Sequence, residues 1–105
     1  MPNKNNSLNQ LLVVIVPVEI KDDLVDTLMS LECVSGFNFS EIGGYSKTHS
    51  QYDVSEQVQG YRKLQRFEIV HKSAEESLIL EALRKVCKNA HVRYWISPIN
   101  SMGHL

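Results

Sequence analysis

The chain has 105 residues, a formal net charge of −1, 43% hydrophobic residues and 22% charged residues. This composition is typical of a globular protein and excludes a disordered one, and the length predicts a single domain. Basic and acidic residues are interspersed, so no basic cluster marks a nucleic-acid partner.

The longest apolar run, residues 11–16, is too short to cross a membrane and lacks a small-residue cleavage site. We therefore expect a cytoplasmic protein without direct membrane insertion. Cys33 and Cys87 are isolated in the sequence, which favours reduced core thiols over a disulfide.

The first half of the chain predicts a strand, a helix and a second strand. Residues 11–16 are a continuous, largely β-branched run, typical of a strand covered on both faces, and Pro17 ends it. Residues 20–31 change to helical spacing, and residues 37–42 predict the second strand. The apolar face of the helix consists of Ile20, Leu24, Leu28 and Leu31.

The second half repeats these elements in the order strand, helix, strand. Residues 64–70 predict the next strand, because Phe67 and Ile69 alternate with Arg66 and Glu68. Residues 73–76, Ser-Ala-Glu-Glu, form a capping box that opens a second helix. Residues 92–96 predict the last strand, and Pro98 limits its extension at a sheet edge. The buried face of the second helix is predicted to be Ile79, Leu83, Val86 and Cys87.

The order strand–helix–strand–strand–helix–strand predicts the α+β class. In particular, it predicts a ferredoxin-like βαββαβ sandwich, with both helices on one face of a four-stranded antiparallel sheet. We place this single domain at residues 8–100 and expect flexible termini at residues 1–7 and 101–105.

The connection of residues 47–63 is much longer than a hairpin needs. Its apolar residues are too few and too irregularly spaced to form an independent core. We therefore predict a flexible arm that contacts a partner protein. The apolar residues of the arm are Tyr52, Val54, Val58 and Tyr61.

The first strand is apolar on both sides, because Leu11, Val13 and Ile15 alternate with three other apolar side chains. Two helices cover only one face of the sheet, so one triplet faces away from them. Exposed apolar area costs about 25 cal/mol per Å². The sequence leaves two ways to cover it, by the long loop or a terminus, or by other subunits, and we favour subunit association.

Three stretches, EIGGYSKTH into the long loop, RFEIV out of it and the closing WISPI, resemble the PII-like signalling superfamily. The resemblance spans roughly residues 11–99 and extends more distantly to CutA-type divalent-ion-tolerance proteins. It implies a homotrimer with small ligands in the clefts between subunits. It also implies that the long loop, the T-loop of the PII proteins, contacts a partner protein. The chain looks most like a branch often encoded beside heavy-metal efflux pumps, so a membrane efflux pump is the partner that the resemblance implies.

The same resemblance implies which residues contact the ligand: Ser46, Lys47, His49, Lys63 and Glu68. Ser46 stands where PII proteins carry a glutamine that helps to hold magnesium–ATP. The connection of residues 87–91 lacks the glycines that let backbone donors wrap a phosphate. These departures argue against ATP sensing and leave the ligand and any cofactor open. Glu68 matches a glutamate of the outgoing PII strand, and we expect it to pair with Arg66 or Arg93.

The alternative function is divalent or copper ion binding in the CutA manner, with His49 and His104 as ligands. An exposed loop histidine and a frayed terminus explain the same residues without a metal. No C-x-x-C or H-x-x-x-H spacing occurs. We predict structural roles for His71 and His91.

The sequence predicts no catalysis. Acylphosphatases share the split fold but hold phosphate in a loop with glycine and arginine after the first strand. Here residues 17–19 of that loop are Pro-Val-Glu. No Ser/His/Asp set and no pair of buried carboxylates follows from the spacing.

Overall fold

The computed structural model describes residues 8–45 and 61–105. Within these ranges four strands and two α-helices follow one another in the predicted order. A 3₁₀ turn leads into each helix, at Val18–Ile20 and Ser73–Glu75. The elements are β1 (Asn9–Pro17), α1 (Lys21–Ser30), β2 (Phe37–Gly44), β3 (Arg62–Lys72), α2 (Glu76–Cys87) and β4 (Arg93–Pro98).

The four strands form one antiparallel sheet in the order β2-β3-β1-β4. This topology confirms the predicted α+β class with a ferredoxin-like sandwich. The β1 strand lies between β3 and β4, and the two edges of the sheet are β2 and β4. The most apolar strand of the sequence is therefore an inner strand, where neighbours cover its backbone on both sides.

One core lies between the sheet and the two helices. Alternate residues of β1 and β3 point towards the helices, as the period of two predicts. Leu24 and Leu28 of α1 are completely buried against them, which confirms the predicted apolar face of that helix. The buried core consists of Leu12, Val14, Val16, Leu24, Leu28, Phe67, Ile69, Ile79, Leu80 and Leu83.

The strands β2 and β3, which the long connection joins, are longer than the sequence predicted. Pairing continues past residue 42 to Gly43 opposite Lys63 and Gly44 opposite Arg62. Backbone hydrogen bonds make this extension, and they need no apolar alternation to form. Lys63 is consequently a strand residue here and not a loop residue. The last strand begins at Arg93 and ends at Pro98, which a sheet edge tolerates.

The start of α2 differs by one residue from the predicted capping box. The Glu75 carboxylate accepts a hydrogen bond from the Lys72 backbone N–H at 2.9 Å. The Ser73 hydroxyl accepts from the Leu8 N–H at 3.1 Å, and the Ser73 N–H donates to the Leu8 carbonyl at 2.7 Å. Ser73 therefore continues the pairing of β1 with β3, and Glu75 satisfies the free donor before the helix.

Truncation of one core side chain tests this packing. Leu28 is completely buried in α1, whereas its neighbour Met29 is 73% exposed. We expect Leu28→Ala to lower the free energy of unfolding by about 2–5 kcal/mol, because it leaves a cavity under the helix. Met29→Ala, the matched control, should change it by less than about 0.5 kcal/mol. Urea denaturation measures both, and equal losses would contradict the described core.

Candidate functional site

The two strands that carry the long connection are paired up to its first and last residues. Gly44 lies opposite Arg62, so residues 45–61 leave and re-enter the sheet at adjacent points. The rings of Tyr45 and Tyr61 have centroids 6.2 Å apart and planes at 58°. Tilted aromatic pairs at this distance attract each other beyond their buried area. We call Gly43, Gly44, Tyr45, Tyr61 and Arg62 the loop base.

The two glycines of the loop base make room for neighbouring side chains. A Cβ atom at Gly43 would lie 2.8 Å from Cδ2 of the Tyr61 ring. A Cβ atom at Gly44 would lie 2.6 Å from Cδ1 of Leu64. Both distances are shorter than van der Waals contact allows, so neither position accepts a side chain without a shift. The Gly-Gly pair of the sequence therefore serves side-chain packing at the start of the connection.

A cleft of about 380 Å³ opens beside the loop base, where β1 ends, β3 begins and the α2–β4 connection passes. We call it the basal cleft. Its polar groups come from separate parts of the chain, and its size is at the lower end of the range for small-molecule sites. The lining residues are Pro17, Glu19, Ile20, Arg62, Val86, Asn89, Ala90 and His91.

Hydrogen-bond donors dominate the polar lining of the basal cleft. Arg62 brings a guanidinium and Asn89 a side-chain amide, while His91 brings an imidazole and Glu19 a single carboxylate. Arg62 makes no ion pair with another described residue. The arrangement can hold a small ligand that accepts hydrogen bonds, above all an anion that pairs with the guanidinium.

Sequence reasoning missed Arg62 and Asn89 and treated His91 as structural. The second hairpin strand was predicted to begin at residue 64, which left Arg62 in the loop without a neighbour. The available signal was a pair of basic residues, Arg62 and Lys63, immediately before the predicted strand. Asn89 and His91 carry no local pattern, and only the packing of α2 brings them to the end of β1.

The sheet face that points away from the helices, here called the open face, buries two of its apolar side chains within the chain. Val13 is 1% exposed and Ile15 is 5% exposed, although no helix lies over them. Arg66 and Arg93 flank Ile15 in the register, and Trp95 lies opposite Val13. These long side chains stand on either side of the strand, so Val13 and Ile15 are already shielded within the single chain. The subunit association expected from the sequence stays a prediction.

Arginine and tryptophan contacts organise this cover. The guanidinium carbons of Arg66 and Arg93 lie 5.9 and 6.0 Å from the centroid of the Trp95 ring, within cation–π distance. Arg66 Nη2 donates to Glu68 Oε2 at 3.3 Å, as expected from the sequence. Both side chains of this ion pair are partly exposed, so its own contribution to stability is small. Trp95 remains 42% exposed and is the largest apolar group of the open face in the described ranges.

Most of the residues predicted from the resemblance lie outside the described ranges. Lys63 and Glu68 are both in β3, but their positions differ by an odd number, so they project from opposite faces of the sheet. The structure thus does not bring these two together, and the ligand set stays a prediction. Tyr61 is part of the loop base. The predicted residues that the structure does not describe are Ser46, Lys47, His49, Tyr52, Val54 and Val58.

Within residues 8–45 and 61–105, no three His, Cys, Asp or Glu side chains are close enough to hold a metal ion. His104 is exposed in the C-terminal segment. The buried His71 has Nδ1 at 2.9 Å from the Lys72 carbonyl, the distance of an N–H donor contact, which agrees with a structural role. The metal role of His49 stays a prediction, because that residue is not described.

The two cysteines are free thiols and both are half-buried. Burial raises the pKa of Cys87, and burial followed by the nearby Glu75 carboxylate raises the pKa of Cys33. Both thiols are therefore protonated at neutral pH and poor nucleophiles.

Comparison with known proteins gives a family and a structural relative. Residues 6–105 match the family described as "Protein of unknown function (DUF3240)". The crystal structure of a DUF3240 family protein from Shewanella baltica OS155 is 44% identical, with a TM-score of 0.79, and the match covers 94% of this chain and 98% of that chain. No curated protein matches the chain. No helix of the described part is long and apolar enough to span a membrane.

A methyl group at Gly43 tests the packing of the loop base. We expect Gly43→Ala to displace the Tyr61 ring and to destabilise the protein by about 1–3 kcal/mol, because the added Cβ overlaps the ring. Gly36→Ala is the matched control, since nothing lies within 4 Å of its added Cβ. Tyr61 ring resonances and urea denaturation report the two effects. An unshifted Tyr61 ring in Gly43→Ala would refute this packing.

Proposed function

The chain belongs to the DUF3240 family, and because that family's description names no activity, we propose from the geometry that it is a PII-like regulatory module. In this proposal the protein performs no catalysis. It binds a small ligand in the basal cleft and transmits the binding through residues 45–61 to a partner protein.

One observation carries the proposal: Arg62 belongs to the cleft and to the loop base at once. Arg62 lines the basal cleft, and its backbone pairs with Gly44 at the start of β3. A ligand bound to its guanidinium therefore contacts the residue that directly follows Tyr61 of the loop base. In this proposal the ligand shifts the equilibrium between conformations of residues 45–61. The size of the shift is set by the difference between the ligand's affinities for those conformations.

The lining of the cleft favours a small anion over a nucleotide. Arg62, Asn89 and His91 offer donors from side chains, and none of the lining residues is a glycine whose backbone wraps a phosphate chain. Ser46, Lys47 and Lys63 are proposed to add contacts from the connection and its edge. The proposed partner is a cytoplasmic face of a membrane protein such as an efflux pump, as the resemblance implies.

We further propose a homotrimer with the open faces turned inwards, as in the PII-like proteins. The exposed Trp95 between two arginines supports this arrangement, since tryptophan and arginine are the residues that most often anchor protein interfaces. Glu68 and Arg66, half-exposed beside it, supply charges of both signs for a self-complementary surface.

A thermal-shift screen tests the ligand. We expect bicarbonate or another small anion to raise the melting temperature, because a ligand of the native state stabilises it by mass action. Arg62→Ala should remove that shift and Lys85→Ala, an exposed cation on α2 outside the cleft, should keep it. An anion shift that survives Arg62→Ala would contradict the site. A shift by copper or zinc that is lost in His49→Ala would favour the metal-binding alternative instead.

Light scattering tests the assembly. At micromolar concentration the wild-type chain should have three times the mass of one chain, and Trp95→Glu should be a monomer because it places a charge on the open face. Leu78→Glu is the control, since Leu78 is 56% exposed on the helix side. A monomeric wild-type chain would refute the proposed trimer.

A further inference from the structure

A second cavity lies on the helix side of the sheet, between α2 and the edge strand β4. It has a volume of about 410 Å³, within the range of small-molecule sites. We call it the outer groove. Leu80, Leu83 and Cys87 of α2 form one wall, and Val92 and Tyr94 form the other.

The groove exists because α2 does not extend over the edge of the sheet. Val14 of β1 and Tyr94 of β4 are register partners on the same face. Val14 is only 2% exposed, whereas Tyr94 is 48% exposed. Core packing therefore stops between these two neighbours, and an apolar surface remains open beside the helix.

Two cations lie at the rim of this apolar surface. Arg84 and Lys88 are four residues apart, so they are neighbours on one side of α2 near its end. Neither makes an ion pair with another described residue. Cations near a helix C-terminus also stabilise the helix dipole, which explains basic residues there without a ligand. Lys85 is also in the last turn and stabilises the helix dipole equally, but it does not line the groove. A comparison of Lys85 with Arg84 and Lys88 therefore distinguishes helix stabilisation from ligand binding.

We propose that the outer groove binds a small anionic amphiphile, a molecule with a carboxylate head and an apolar body such as a medium-chain fatty acid. The body packs on Leu83 and Val92, and the carboxylate lies between Arg84 and Lys88. The charge of the rim selects an anion and the apolar walls select a hydrocarbon. This site shares only Ala90 with the basal cleft, and it requires neither the trimer nor a ligand at Arg62.

Titration with three amphiphiles of equal chain length tests the proposal: octanoate, octanol and octylammonium. We expect octanoate to cause saturable NMR shifts at the side chains of Leu83, Val92 and Tyr94. Octanol should bind more weakly and octylammonium most weakly, because only the carboxylate pairs with the rim. Equal affinities for the three head groups, or shifts that spread over the open face instead, would overturn it.

Charge reversal supplies the matched comparison. In Arg84→Glu/Lys88→Glu the dissociation constant of octanoate should rise on the order of tenfold or more, while that of octanol stays unchanged. Lys85→Glu changes the charge of the same helix end outside the groove and should leave octanoate binding as in the wild type. If Lys85→Glu weakens octanoate as much as the double variant does, the selection is a general field effect and the site is refuted.

A second readout needs no charge variant. In Cys33→Ser the remaining thiol, Cys87, lies in the groove wall, so bound octanoate should slow its alkylation in a saturable manner. Octylammonium at the same concentration should protect much less. Alkylation that octanoate does not slow would count against occupancy of the groove.

Discussion

The constraint on which the structure depends is that β1 is apolar on both faces. As an inner strand, it pairs with β3 along its whole length and with β4 over residues 10–15, and it presents two rows of branched side chains. Each row must be removed from water, since the cost of exposure grows with the apolar area. The fold solves this differently on its two sides.

On the helix side, Leu12, Val14 and Val16 are buried under two amphipathic helices. On the other side, the arginines and the tryptophan of the flanking strands cover Val13 and Ile15. Their stems bury the strand while the polar ends stay in water. The same side chains are those that interfaces favour, so this cover stabilises one chain and is suited to contact with another. These side chains therefore support the proposed assembly, but the chain does not need the assembly in order to fold.

The β3 strand connects the functional features. Arg62 at its start belongs to the basal cleft and the loop base, Arg66 belongs to the open face, and Phe67 belongs to the core. Residues 64–69 of β3 pair with both β1 and β2, whereas Arg62 and Lys63 pair with β2 alone, so the first residues of the strand are the less constrained ones. The α2–β4 connection has a comparable position, because Ala90 lines both the basal cleft and the outer groove.

Local pattern was sufficient for much of the fold. The continuous apolar run of residues 11–16 predicted a strand with two apolar faces, and the helical spacing of residues 20–31 predicted the first helix. Together with the patterns of the later segments, they gave the element order and the fold class. The oversized connection was equally visible, because the strand patterns before and after it were clear. The sequence left Arg66 and Arg93 as alternative partners of Glu68, and the structure shows Arg66.

The tertiary structure alone decided the strand ends, the cover of the open face and both cavities. Gly43 and Gly44 carry no strand signal, and they belong to β2 because backbone bonds to Lys63 and Arg62 continue there. Trp95 covers Val13 through a register between strands far apart in the sequence. Arg62 lines a cleft and Tyr94 an open groove because of where α2 lies on the sheet. The local sequence determines the periodicity of each strand and helix. The distances between residues of different elements are fixed only when the whole core packs.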